Sequence, residues 1–307
     1  TLLLRELEIY CSSLFEFKTK NSMKGIVLAG GKGSRLYPMT LSVSKQLLPI
    51  YDKPMIYYPL STLIKCGIKE ILIISTTDDL PIFKRLLGDG SQWGCSFCYE
   101  SQNYPKGLAD AFIVGDEFIG NSNVTLILGD NFFFGGNFES EILSRKDLKG
   151  GFIFALRVSN PKRYGVIEFD NDFNAVGIEE KPKSPKSQYA VPGIYCYDSS
   201  VVSKAKSLNL SERGELEISD INITFLNESN LEVKVLNENT IWLDTGTVDS
   251  LMKANHFVET LQKRKGILVG SPELSAFQSN FITKETLLIL VESMAESKYG
   301  KFLKSNL

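Results

Sequence analysis

A chain of 307 residues, 43% of them hydrophobic, has enough apolar matter for an extensive core and length for one large domain or two ordinary ones, which excludes a disordered chain. Lysine and arginine number 34 against 36 acidic residues, a balance with no basic footprint for DNA or RNA, so a nucleotide recognised here is a small molecule. No apolar stretch approaches the roughly 20 residues that span a bilayer, and five cysteines, an odd number spread through the chain, suit the reducing cytoplasm better than a disulfide framework.

Residues 1–22 do not read as a secretory signal, because Arg5, Glu6 and Glu8 interrupt the apolar run. Leu3, Leu7, Tyr10, Leu14 and Phe17 alternate at helical spacings. A docked amphipathic helix and a dispensable leader both fit that pattern. Residues 26–28 are short and aliphatic and predict a buried parallel strand. The run opens onto Gly30, Gly31 and Gly33, which let the backbone turn tightly and offer its N–H groups to an anion, and then onto Arg35, a forked donor suited to phosphate. A Walker A loop fails here, because no glycine is followed by Lys-Ser or Lys-Thr at the right gap. A dinucleotide fingerprint fails too, because Leu36 stands where the third glycine after Gly31-x-Gly33 belongs.

Further strands are expected at residues 71–74, 124–128 and 152–156, with helices at 55–66, 79–87 and 107–118 between them. The alternation predicts an α/β fold, a Rossmann-like, mostly parallel sheet with helices on both faces. Ligands of such sheets sit beyond the carboxyl ends of the strands, so the loops after Leu28 and Leu128 belong on one rim. Cys95-x-x-Cys98 lies in a strand-like run with no second pair, and packing is the better reading than a metal site. Past residue 160 the pattern changes, with strands at 164–169, 190–197 and 231–236 around helices at 199–207 and 218–230. From 247 to the end the chain reads as helical, with a loop near 270–272. No linker or repeat divides residues 23–307. They read as one domain, a core of about 23–246 with a helical part of about 247–307.

A site that handles phosphate gains from a divalent metal on carboxylates together with several cations. Leu128-Gly129-Asp130-Asn131 puts a carboxylate just past a buried strand, and Trp242-Leu243-Asp244-Thr245-Gly246-Thr247 puts another in a glycine turn before a helix. Leu28-Ala29-Gly30-Gly31-x-Gly33-x-Arg35-Leu36, followed by Ser44-Lys45-Gln46-Leu47-Leu48-Pro49, resembles the sugar-1-phosphate nucleotidyltransferases. The continuation from Tyr51-Asp52-Lys53-Pro54 to Pro59 narrows the resemblance to the glucose-1-phosphate thymidylyltransferases.

That resemblance runs from Met23 to Leu307 and implies the nucleotide-diphospho-sugar transferase fold. It implies Mg²⁺ on Asp130 and Asp244, and nucleotide binding by Gly30, Gly31, Ser34, Arg35, Lys45 and Gln46. Gln102, with Gly107 nearby to admit the backbone, would read the pyrimidine edge. Lys181 would hold the phosphate of the sugar phosphate, and Glu180, Tyr164, Gly165 and Val191 would line the hexose pocket. Arg35, Lys45 and Lys181 are the implied catalytic cations. The implied reaction joins dTTP and glucose 1-phosphate into dTDP-glucose and pyrophosphate by direct in-line displacement, the first step toward dTDP-deoxysugars such as dTDP-rhamnose. It needs no general base, which agrees with the lone His256. Rival readings are the same chemistry on UTP or another sugar phosphate, and a catalytically silent regulatory subunit of the same fold.

Family members are commonly homotetramers, with a dTDP-rhamnose site between subunits. Here Phe134 and Gly135 retain its aromatic and its glycine, whereas Glu139 and Gln278 stand near where a histidine and an arginine are usual. Lys106, Pro192 and Val248 are further departures from the family pattern. Weakened effector binding is the expectation.

Overall fold

The computed structural model describes residues 23–102, 104 and 106–307. The amphipathic segment at 1–22 lies outside the described residues. In chain order the elements are β1 (Lys24–Leu28), β2 (Pro49–Ile50), β3 (Lys53–Pro54), α1 (Tyr57–Lys65), β4 (Glu70–Ser75), α2 (Leu80–Leu87) and β5 (Ser96–Ser101). They continue with α3 (Asp110–Val114), α4 (Asp116–Ile119), β6 (Val124–Leu128), β7 (Asn131–Phe134), α5 (Phe138–Leu143), β8 (Gly151–Arg157), β9 (Gly165–Phe169) and β10 (Ala175–Glu180). Next come β11 (Tyr189–Ala190), β12 (Ile194–Tyr197), α6 (Val201–Ser207), α7 (Ile218–Asn227), β13 (Leu231–Val235) and β14 (Ile241–Asp244). Four helices close the chain: α8 (Val248–Lys265), α9 (Pro272–Gln278), α10 (Lys284–Ser293) and α11 (Lys298–Lys304).

The aliphatic run of β1 sits between β4 and β6 and pairs with both in parallel, and β5 extends the parallel ladder beyond β4. Both faces of such a strand are covered, which is why it carries no polar alternation. Period-two geometry sends Val27, Ile73 and Ile127 to one face, where they pack under α1, and Ile26, Leu72 and Leu126 to the other, with Phe112, Tyr197 and Phe225. Each such fully buried side chain contributes about 1.5–3 kcal/mol. Beyond β6 the sheet mixes directions. β12 runs antiparallel to β6 and β8, β9 pairs with β10 and β11, and β13 lies parallel to β8.

Three expectations from the sequence change in detail. The helix at 107–118 is two short ones meeting at Gly115, where an added Cβ would come within 3.2 Å of Ile26 and Leu72 on the sheet below. The strand at 190–197 is interrupted at Val191-Pro192-Gly193. Pro192 has no N–H to give a ladder, and a Cβ on Gly193 would fall 2.5 Å from Asn131 Oδ1. Pro272 belongs to helix rather than loop, as the first residue of α9 behind the Ser271 cap, where proline is tolerated.

The pairing that matters most for the site joins distant segments. β7 and β14 form a two-stranded antiparallel ladder with Asp244 opposite Asn131 and Ile241 opposite Phe134. Thr245 ties the turn down further, its N–H and hydroxyl both donating to the carbonyl of Asp130, at 3.1 and 2.7 Å. A third core cluster packs Leu36, Ile50, Met55 and Phe132 beneath Leu251, Ala254 and Val258 of α8. The glycine loop after β1 and the Asp244 turn are thus fastened to the same helix.

Candidate active site

A cavity of about 570 Å³ lies at the carboxyl ends of β1 and β6. Among the residues singled out from sequence, it is lined by Gly30, Ser34, Arg35, Lys45, Gln46, Asp130, Tyr164, Gly165, Glu180, Lys181, Val191 and Asp244. Gly31, Gln102 and Gly107 lie outside that lining. Gln102 abuts it through Gly30, since a Cβ on Gly30 would stand 3.3 Å from Gln102 Oε1. Gly107, with φ of 106°, instead packs against the backbone of Leu216, where a Cβ would meet a carbonyl oxygen at 2.3 Å. That chain-on-chain contact is a sufficient reason for its glycine, and one that the sequence did not reveal.

The glycine-loop end of the cavity is built from turns. Gly33 is left-handed with φ of 58°, and its carbonyl accepts from Thr40 Oγ1 at 2.8 Å. Arg35 projects back over the Asp244 turn, where a Cβ on Gly246 would lie 2.6 Å from Arg35 Nη2. Glycine is what lets the guanidinium approach so closely. Lys45 Nζ donates to Asp130 Oδ2 at 2.5 Å.

At the centre stand Asp130 and Asp244, brought together by the β7–β14 register. Burial raises the Asp130 carboxyl, but the charge and hydrogen bond of Lys45, with a 3.0 Å hydrogen bond from Asn131, outweigh it and hold the group below the usual carboxylate range. Asp244 goes the other way. Burial and then the neighbouring Asp130 charge push it up, against the opposing pull of the Gly246 N–H, Arg35 and Arg163. Two carboxylates that crowd one another with oxygen donors suit a hard divalent cation, which takes its remaining ligands from phosphate and water. Among the described residues no group of three or more His, Cys, Asp or Glu side chains is arranged to hold a metal without such help.

Another part of the cavity wall carries the residues expected on the hexose side. Lys181 has φ of 44°, an uncommon conformation for a residue with a Cβ, and lies 3.1 Å from Glu180 Oε1. Ser219 Oγ donates to Glu180 Oε2 at 2.6 Å. The Tyr164 ring packs on Trp242 with centroids 4.7 Å apart, and the interrupted strand contributes Val191 and Gly193 to the wall.

Several lining residues carried no signal in the sequence. Arg163 donates to Asp244 Oδ2 at 3.2 Å. Asn131 links three segments, giving to Asp130 and accepting from Trp242 Nε1 at 2.5 Å and from the Gly193 N–H at 3.2 Å. Arg213 lies 3.1 Å from Glu217 and 3.6 Å from Glu180, which adds a second cation beside Lys181. His256 is 82% exposed on α8 and is no part of the cavity.

Residues 24–260 match the family described as Nucleotidyl transferase. The chain is 52% identical over 281 residues to the glucose-1-phosphate thymidylyltransferase of Mycolicibacterium smegmatis, a match that covers 92% of this chain and 98% of the relative. It is 51% identical over 282 residues to the enzyme of that name from Neisseria meningitidis serogroup A, with the same coverage. Among solved structures, a Bacillus anthracis protein provisionally named glucose-1-phosphate thymidylyltransferase, in complex with a sucrose, superposes with a TM-score of 0.72 at 41% identity, over 77% of this chain and 95% of that one. A UDP-glucose pyrophosphorylase complexed with UDP-glucose shares the fold, with a TM-score of 0.67 at 22% identity over 78% of this chain and 99% of that one. With half of its residues identical along nearly the whole length of such relatives, the chain belongs to the nucleotidyl transferase family, among the glucose-1-phosphate thymidylyltransferases.

Proposed function

We propose that this chain transfers the thymidylyl group of dTTP to glucose 1-phosphate, giving dTDP-glucose and pyrophosphate, with Mg²⁺ held by Asp130 and Asp244. The observation that carries the reading is the adjacency of those two carboxylates with cations on both sides, Arg35 and Lys45 toward the glycine loop and Lys181 and Arg213 toward Glu180. When bound, the cation screens phosphate charge. The chain's own work is positioning. The glycine loop presents backbone N–H groups to the triphosphate, Arg35 and Lys45 stabilise charge at its α-phosphate, and Lys181 with Arg213 aligns the sugar phosphate for in-line attack. Glu180, fixed by Ser219, accepts from hexose hydroxyls, while Tyr164 and Val191 shape the pocket. The attacking oxygen is already an anion, so no general base is required. The turn from Asp244 into α8 ties the core to the helical part, which supports residues 23–307 acting as one unit. The buried thiols of Cys66, Cys95 and Cys196 suit a reducing cytoplasm.

Pyrophosphate release measured across dTTP, UTP, dCTP and ATP with several sugar phosphates tests the reading. The pair dTTP and glucose 1-phosphate is expected to be best. UTP should follow with a modest penalty, since one methyl in an apolar pocket is worth about 1–3 kcal/mol. Equal efficiency with ATP would overturn it. Lys181→Ala should raise the KM for glucose 1-phosphate about tenfold or more with a smaller effect on the KM for dTTP, as expected for a lost charge-assisted hydrogen bond of about 1.5–3 kcal/mol. Weakened dTTP binding alone would mean that the two phosphate ends are reversed.

A second cleft, of about 290 Å³, gathers Phe134, Gly135, Glu139 and Gln278 with Lys65 and Tyr58. It supports the reading of an effector site for a dTDP-deoxysugar, which the family places between subunits. Glu139 opposes a diphosphate and Gln278 offers no charge, so affinity is expected to be low. Calorimetric titration with dTDP-rhamnose, in the presence of saturating dTDP-glucose, checks this. Tight binding would show that Glu139 and Gln278 do not govern the cleft.

A further inference from the structure

Gln102 follows β5, and its backbone N–H donates to the Ser75 carbonyl at 2.8 Å, which seats it at the carboxyl ends of β4 and β5 beside the glycine loop. Its side chain meets Asp110, the first residue of α3. Gln102 Nε2 donates to Asp110 Oδ2 at 2.7 Å, and both residues are 7% exposed. A carboxylate accepts and does not donate. At this distance it takes the NH₂ end of the amide and repels the carbonyl end. A carboxamide that would otherwise sit either way round is thereby set in one orientation. The other end, Oε1, faces Gly30 in the cavity lining.

We propose that Asp110 is a specificity-determining positioning residue. By turning the Gln102 oxygen toward the glycine loop, it makes the site favour a pyrimidine that carries N3–H, thymine or uracil, and disfavour cytosine. The proposal rests on the reading of Gln102 as the base reader. Thymine and uracil present an N3–H donor flanked by carbonyl oxygens. Gln102 Oε1 accepts that hydrogen, and the Nε2 hydrogen not given to Asp110 donates to a neighbouring carbonyl. Cytosine presents the reverse pattern, an unprotonated N3 beside an amine. To pair with it the amide must turn over, which drives Oε1 against the Asp110 carboxylate. The cost falls on cytosine alone.

The test is kcat/KM for dTTP, UTP and dCTP in the full chain and in Asp110→Asn, Asp110→Ser and Gln102→Leu. The carboxamide introduced by Asp110→Asn offers Gln102 either an oxygen or an NH₂, so the dTTP-to-dCTP ratio should fall about tenfold or more, chiefly through a gain with dCTP. The UTP-to-dTTP ratio should not change, since both bases carry N3–H, and a merely structural lesion would not respect that distinction. Asp110→Ser, which is smaller and able to donate, serves if the first variant fails to fold. Calorimetry with dTMP and dCMP reads the same preference without turnover. If Gln102→Leu abolishes discrimination while both Asp110 variants keep it, the proposal is overturned and the reading of Gln102 stands. If Gln102→Leu keeps full discrimination, Gln102 does not read the base and the role of Asp110 falls with it.

Discussion

Asp130→Asn and Asp244→Asn should each lower turnover roughly a thousandfold, about 4 kcal/mol of transition-state stabilisation, with little change in far-UV dichroism. The two variants should differ in stability. Asp130 is buried and accepts from Lys45 and Asn131 at once. An amide cannot accept at both of its ends, so Asp130→Asn leaves the Lys45 charge or the Asn131 NH₂ without a partner. It should destabilise the fold by about 1–3 kcal/mol, read as a fall in the urea midpoint. Asp244 also accepts at both oxygens, from the Gly246 N–H and from Arg163, but it is crowded by Asp130 and held up by burial, so the repulsion relieved by neutralising it offsets the lost acceptor, and Asp244→Asn should lose less stability than Asp130→Asn. The pH dependence carries the same asymmetry. The folded Asp130 lies below its unfolded value, so its stabilisation is fully present above about pH 4 and is lost as pH falls through the lower folded value. That part of the acid transition should disappear in Asp130→Asn. Near-parental turnover in either folded variant would remove that residue from the metal pair.

Arg35→Ala should lower kcat with both substrates saturating by about a hundredfold to a thousandfold, with much smaller changes in either KM. The guanidinium lies against the Gly246 turn beside Asp244, and in the proposed reaction its charge would face the phosphate carried at the carboxylate pair and not the base or the sugar. Arg35→Lys should restore only part of the loss, because an ammonium cannot reproduce the planar fork. A raised KM for dTTP with an unchanged kcat would show that Arg35 contributes ground-state binding only.

Much of this was legible in the sequence, for physical reasons that can be located. The strands around β1 are aliphatic because both of their faces are buried, and unbroken apolar runs between glycines and charges are easily read. The glycine loop, Lys45 and the two aspartates came from spacing and resemblance together. The β7–β14 ladder did not. Asn131-Phe132-Phe133-Phe134 has no alternation, and its partner lies more than a hundred residues away in sequence. Arg163 sits in a single 3₁₀ turn, Pro161–Arg163, with no periodic pattern around it. Arg213 lies in a turn between α6 and α7, outside any periodic segment. Gln102 and Asp110 stand eight positions apart at the end of β5 and the start of α3, and no spacing rule encodes their contact.

β7 has four residues, and its two ends serve different cavities. Asn131 lines the active site and holds Asp130, whereas Phe134 lines the second cleft. A strand of this length spans only about 10 Å and is paired along its whole length with β14. A ligand that shifted the β7 backbone at Phe134 would therefore shift the Asn131 end, which holds Asp130, as well. Any coupling of that kind is reciprocal: a nucleotide that shifted the carboxylate end would change the affinity of the distant cleft by the same factor.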